Sequence, residues 1–164
     1  MKILILCSDN SCLSQMAQGW LQSFDKSLTV CSAGISPAIE VHPLAVQTLA
    51  SSGIDISHHK PEAVEDYIDE PWDYVITVSR DAEEKIKALI APAGAFTGKV
   101  RNLIHSNFYN PTRAKGTPES IANEFRRISN QIKMKMYDLY CDEIQNGGYG
   151  PTCTCGANRV CRCN

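Results

Sequence analysis

A surplus of charge of either sign is the first thing this chain lacks. Sixteen basic residues against 18 acidic ones leave a net charge of −2 over 164 residues. Without a basic excess there is no electrostatic footprint for nucleic acid, which is excluded as a partner on that ground. Long apolar runs are missing too. None approaches the ~18 residues of a membrane span, so no membrane association is expected. The first residues lack the basic start and extended apolar stretch of a secretion signal, and a cytoplasmic location is the matching expectation. There are no internal repeats.

Cysteine, by contrast, is abundant. Of the eight cysteines, Cys153, Cys155, Cys161 and Cys163 fall in the last twelve residues, while Cys7, Cys12, Cys31 and Cys141 are spread through the body. In a chain read as cytoplasmic, these are reduced thiols with redox or metal roles rather than a disulfide scaffold. A hydrophobic content of 43% with 21% charged residues is enough, at this length, for one domain with a proper core.

Apolar patterning supplies the elements. "KILILC", residues 2–7, is an unbroken apolar run and reads as a buried parallel strand. The following "SCLSQMAQGWLQSF" places Met16, Ala17, Trp20, Leu21 and Phe24 on one helical face, with Ser11 or Ser14 as its expected cap. "LTVCSAG" reads as a short strand stopped at Gly34, and "HPLAVQTLASSG" as a helix stopped at Gly53. "DYVITVS", 73–79, is a strand buried on both faces. "DAEEKIKALI" is an amphipathic helix with acids in its first turn, where the helix dipole favours them. "KVRNLIHSNF" holds a last strand. A long helix over 117–144 starts from a Thr117 cap with Pro118 at its first position. Strands alternating with helices predict an α/β fold, a single doubly wound domain whose central parallel sheet is flanked by helices. That domain is expected over 1–145. From 146 the glycines, the proline and the lack of periodicity predict a flexible Cys-rich tail, 146–164.

The first strand runs into "CSDNSCLS", residues 7–14. In doubly wound sheets the carboxyl ends of strands bind ligands, and a strand–loop–helix turn aims backbone N–H groups at an anion. Ser8, Asp9, Asn10, Ser11, Cys12, Leu13 and Ser14 form the candidate oxyanion-binding loop, their small and polar members permitting a tight curl. Cys7 would lie beneath it, where a helix N-terminus depresses a thiol's pKa and makes a nucleophile. A buried structural cysteine is the competing reading.

The flanks settle the fold. The segment is similar to the C-x5-R loop of the low-molecular-weight protein tyrosine phosphatases, and more closely to that of the thioredoxin-coupled arsenate reductases of the same fold. "SAGISPAIEVHPLAVQTLASSGIDISHHKPEAV", "DYVITV", "FYNPTRAKGT" and "EFRRISNQI" follow the family in order across roughly 1–145. The resemblance implies that Cys7 is the nucleophile, that Cys12 matches a loop cysteine able to pair with it, and that a small oxyanion (arsenate, phosphate or sulfate) is the ligand. It also implies a thiol reductant protein as partner.

Several family parts are missing. Leu13 stands where the loop arginine would clamp an oxyanion, and Asn110 stands where an aspartate before proline would serve as general acid. The positions of the two resolving cysteines read Ser79 and Ile86. Hence the expectation of an arsenate-reductase-like thiol protein with negligible phosphatase activity, or else a non-enzymatic oxyanion- or metal-binding protein. Arg80, Arg159 and Arg162 are candidates for a replacement cation or plain surface residues. His42, His58, His59 and His105 are too scattered to read as ligands. The domain needs no cofactor, while "CTCGANRVCRC" offers Cys153, Cys155, Cys161 and Cys163 as soft ligands for Zn, Cu(I) or As(III), or as dithiols that reduce Cys7.

Overall fold

The structure, a computed structural model, describes residues 1–90, 94 and 96–145. Four parallel strands form its sheet in the order β2-β1-β3-β4. Strand β1 is Lys2–Cys7, β2 Thr29–Gly34, β3 Trp72–Thr77 and β4 Val100–His105. β1 lies between β2 and β3, with Cys7 opposite Gly34 and Leu6 opposite Thr77. The order reverses direction at β1, so the carboxyl end of β1 marks the topological switch point.

The two-residue period of β1 divides the core. Ile3, Ile5 and Cys7 face one side and join residues of three helices, α1 (Leu13–Phe24), α2 (Pro43–Ala50) and α4 (Pro118–Leu139). Leu4 and Leu6 face the other side, where Ala82 and Ile86 of α3 (Arg80–Ile90) cover them. A continuous apolar run is thus what a strand covered on both faces requires. The doubly wound expectation holds.

Local signals also land where the chain needs them. His42 Nδ1 accepts the Leu44 amide at 3.2 Å and caps α2. Gly53, at φ +78°, takes the left-handed conformation that ends this helix. Thr117 Oγ1 accepts the Ser120 amide at 3.2 Å, with Pro118 beginning α4. Other expectations need correction. Neither Ser11 nor Ser14 caps α1, whose cap position is Cys12 without a side-chain bond. β3 stops at Thr77 rather than 79. The last helix is regular only to Leu139 and then widens into a π-type turn over Tyr140–Gln145.

Candidate active site

The loop between β1 and α1 is curled by its hydrogen bonds. Residues following β2 donate along its outer edge. Ile35 N–H reaches Cys7 O (3.3 Å), Ser36 N–H reaches Ser8 O (2.9 Å), Ala38 N–H reaches Asp9 O (2.8 Å) and His42 N–H reaches Ser11 O (2.8 Å). With those carbonyls occupied outside, loop amides turn inward. Asn10 N–H lies 3.1 Å from Cys7 Sγ and Ser11 N–H lies 3.0 Å from Asp9 Oδ1. Gly34 allows this closeness, because a Cβ there would sit 2.9 Å from Asn10 N.

Asn10 pins the curl. It adopts φ 52°, a conformation asparagine tolerates better than most residues. Its Nδ2 donates to Ser14 Oγ (2.8 Å) and Ser32 Oγ (2.9 Å), while its Oδ1 accepts from Gln15 Nε2 (3.0 Å) and the Glu62 amide (2.9 Å). The side chain is fully buried and every polar atom has a partner. Gln15 Oε1 in turn meets His59 Nδ1 at 2.9 Å, which gives that histidine a structural role.

Cys7 lies at the foot of the loop with its sulfur 2.9 Å from Ser14 Oγ. It is only 2% exposed. Burial pushes its thiol above the ordinary value, Ser14 draws it down, the Asp9 carboxylate raises it again, and the Asn10 and Asp9 amides oppose them weakly. The expectation of a depressed pKa is therefore wrong. Helix-start donors are present, but desolvation wins without a cation in the loop. Cys12 is raised as well, first by burial and then by the neighbouring charges of Cys7 and Asp9.

Leu13 joins the same hydrophobic core cluster as Met16 and Phe125. It also edges a cleft of about 200 Å³ whose wall includes Cys7, Ser8, Asp9, Ser79 and Asn110. The cleft thus gathers Cys7, Ser8, Asp9, Leu13, Ser79 and Asn110 of the sequence-predicted positions; Asn10, Ser11, Cys12 and Ser14 lie in the loop outside its lining, and Ile86 is buried under the other sheet face. Ser8 and Ser79 hydroxyls approach to 3.4 Å across the cleft. Asn110 Oδ1 accepts Thr112 N–H at 3.0 Å and Thr112 Oγ1 at 2.9 Å, so the amide caps the turn Pro111–Arg113.

Arg80 lines the cleft from the start of α3. Arg113 lines it too, a residue missed in the sequence although "NPTR" sets it three places after Asn110; its guanidinium meets Asp81 Oδ2 at 3.1 Å. Phe108 and Tyr109 complete the same wall. His105 Nδ1 bonds Thr77 Oγ1 at 2.7 Å. Among the described residues no three His, Cys, Asp or Glu side chains are grouped to hold a metal ion. Cys153, Cys155, Cys161, Cys163, Arg159 and Arg162, together with the tail boundary, lie outside the described residues. Among the described residues no helix is long and apolar enough to cross a membrane.

A parallel α/β sheet with a cysteine at the foot of a strand–loop–helix turn, placed at the switch point, defines a class of cysteine-loop proteins. The sequence profile of low molecular weight phosphotyrosine protein phosphatase matches residues 2–146. The chain belongs to that family. It is 34% identical over 131 residues to an arsenate reductase of Halalkalibacterium halodurans, covering 79% of this chain and 88% of that one. It is likewise 34% identical to an arsenate reductase of Bacillus subtilis, over 84% of this chain and 93% of the relative. A solved structure of an arsenate reductase in the phosphate binding state superposes with a TM-score of 0.61 at 25% identity, covering 85% of this chain and 96% of that one.

Proposed function

We propose that this protein is an arsenate-reductase-like thiol protein that seats a small oxyanion over Cys7 and takes its electrons from thiols. The observation that carries the reading is the position of Cys7 Sγ, under the loop curl at the switch point, with Ser14 Oγ at 2.9 Å and the Asn10 amide at 3.1 Å, facing the cleft. Arsenate-reductase relatives matching most of the chain support it.

The chemistry balances with two thiols. Cys7 sulfur attacks arsenic and an arsenate oxygen departs as water. A second thiol then attacks the Cys7 sulfur, so that two electrons pass to arsenic, arsenite leaves and a disulfide remains. Cys12, near enough for its charge and that of Cys7 to repel, is the candidate within the described residues. The cysteines of the tail are the other source, as is a thiol reductant protein. Cys31 belongs with the opposite sheet face.

Phosphatase chemistry is disfavoured. The Leu13 side chain offers no donor to a transferring phosphoryl group, a deficit worth about 10²–10³ in rate for one preorganised donor. Asn110 has no proton to deliver.

The raised thiol and the cation-free loop favour a second reading, a non-enzymatic oxyanion- or thiophilic-metal-binding protein, in which the tail holds Zn, Cu(I) or As(III). The test is reductant-driven turnover. With arsenate and a dithiol, wild type should release arsenite and Cys7→Ser should not. Oxyanion binding without arsenite release would favour the second reading.

A further inference from the structure

The loop curled above Cys7 contains a carboxylate and no cation of its own; the cations of the cleft, Arg80 and Arg113, stand on other segments, and Arg113 is paired with Asp81. Asp9 lines the cleft with Cys7, Ser8 and Leu13. Its Oδ1 accepts both the amide and the hydroxyl of Ser11 at 3.0 Å, and this oxygen lies 4.0 Å from Cys7 Sγ. Two donors hold the side chain there, and swinging it away would strand both. Among the described residues nothing donates to its other oxygen, Oδ2.

An ionised carboxylate accepts hydrogen bonds and gives none. A tetrahedral oxyanion entering the loop therefore meets a second anion, unless one of its own oxygens still carries a hydrogen to donate. Leu13, 3% exposed, supplies no charge from within the loop to offset that repulsion. Arsenate and phosphate keep a hydrogen near neutral pH, whereas sulfate has none. All three are tetrahedral and similar in size, so shape alone separates them poorly. Resting on the reading that this loop is an oxyanion seat, we infer that Asp9 is its specificity-determining residue. It admits hydrogen-bearing oxyanions by accepting that hydrogen and rejects fully ionised sulfate. Selectivity of this kind is built by placing an unfavourable group against the wrong ligand.

The experiment is calorimetric titration of the reduced full chain with sodium phosphate and sodium sulfate at pH 7, for wild type and Asp9→Asn. Asparagine keeps an acceptor oxygen for Ser11 but is neutral and carries two N–H donors. Wild type should bind phosphate at least about tenfold more tightly than sulfate, the effect of one hydrogen bond against one unpaired acceptor. In Asp9→Asn sulfate should come within about threefold of phosphate, and Asp9→Ser gives the same readout should asparagine disturb the curl. Equal wild-type affinity for sulfate and phosphate, or a preference that survives both substitutions, overturns the inference while leaving the oxyanion seat standing. Should none of these proteins bind either anion, the seat itself falls, and the inference with it.

Discussion

Leu13 and Cys7 are a coupled pair of departures. The leucine side chain is packed into the core, and the loop it ends carries no positive charge at the point where a thiolate would need one. Desolvation then dominates the thiol. Alkylation of Cys7 should accordingly be slow at pH 7 and should accelerate only as pH rises past its ordinary value of 9.0. A labelling profile with a midpoint below 8 would contradict this. The same shift has a sign in stability. With the folded pKa raised, the contribution is fully present below the unfolded value. Above it the unfolded chain releases a proton that the folded one retains, so stability falls as pH rises. Cys7→Ser should lessen that alkaline decline. Leu13→Arg combined with Asn110→Asp restores a guanidinium and an acid, and Asp at 110 retains the acceptor that caps Thr112. Aryl phosphate hydrolysis should then rise at least about 100-fold over wild type. An unchanged rate would mean that Cys7 is not placed for in-line attack.

At the scale of elements, β1, its loop and α1 form one unit, wired through Asn10 to β2 at Ser32 and to the segment at Glu62. Asn10→Ala should strand several of these buried partners and strain a left-handed backbone, costing about 3 kcal/mol in urea denaturation. Asn10→Gly should recover the backbone share only. A loss below about 1 kcal/mol for alanine would show the network to be incidental. Much of this unit was legible beforehand. The unbroken apolar run fixed β1 as a doubly covered strand, and "CSDNSCLS" announced the loop. The wiring was not legible, because side-chain partners such as Ser32 and Glu62 are brought in by tertiary packing rather than spacing. The cap of α1 was misread for the same reason: Ser14 turns its hydroxyl to Cys7 and Asn10 instead of to the helix start. The thiol's direction was misjudged because donors are visible in a sequence and desolvation is not. Arg113 and Asp81 come from two separate segments, and only the fold joins them at the cleft.

For the whole molecule, the larger hydrophobic cluster of the described residues extends to Ile144. The sequence of 146–164 carries no apolar pattern to bury. Removing residues 147–164 should leave the denaturation midpoint nearly unchanged. The four cysteines in that segment should bind Zn²⁺, Cu(I) or arsenite in the full-length protein alone, releasing protons and weakening as pH falls, since the ligands are thiolates. Equal binding by the truncated chain would move the site into the domain.

The central claim, that Cys7 passes electrons to an oxyanion, is met most directly by a single-turnover reaction without added reductant. Reduced full-length protein mixed with arsenate should yield about one arsenite per chain, with the loss of two thiols and a disulfide that peptide mapping places at Cys7. Cys7→Ser should yield none. Arsenate left unreduced with every thiol still titratable, or the same arsenite yield from Cys7→Ser, would contradict the account.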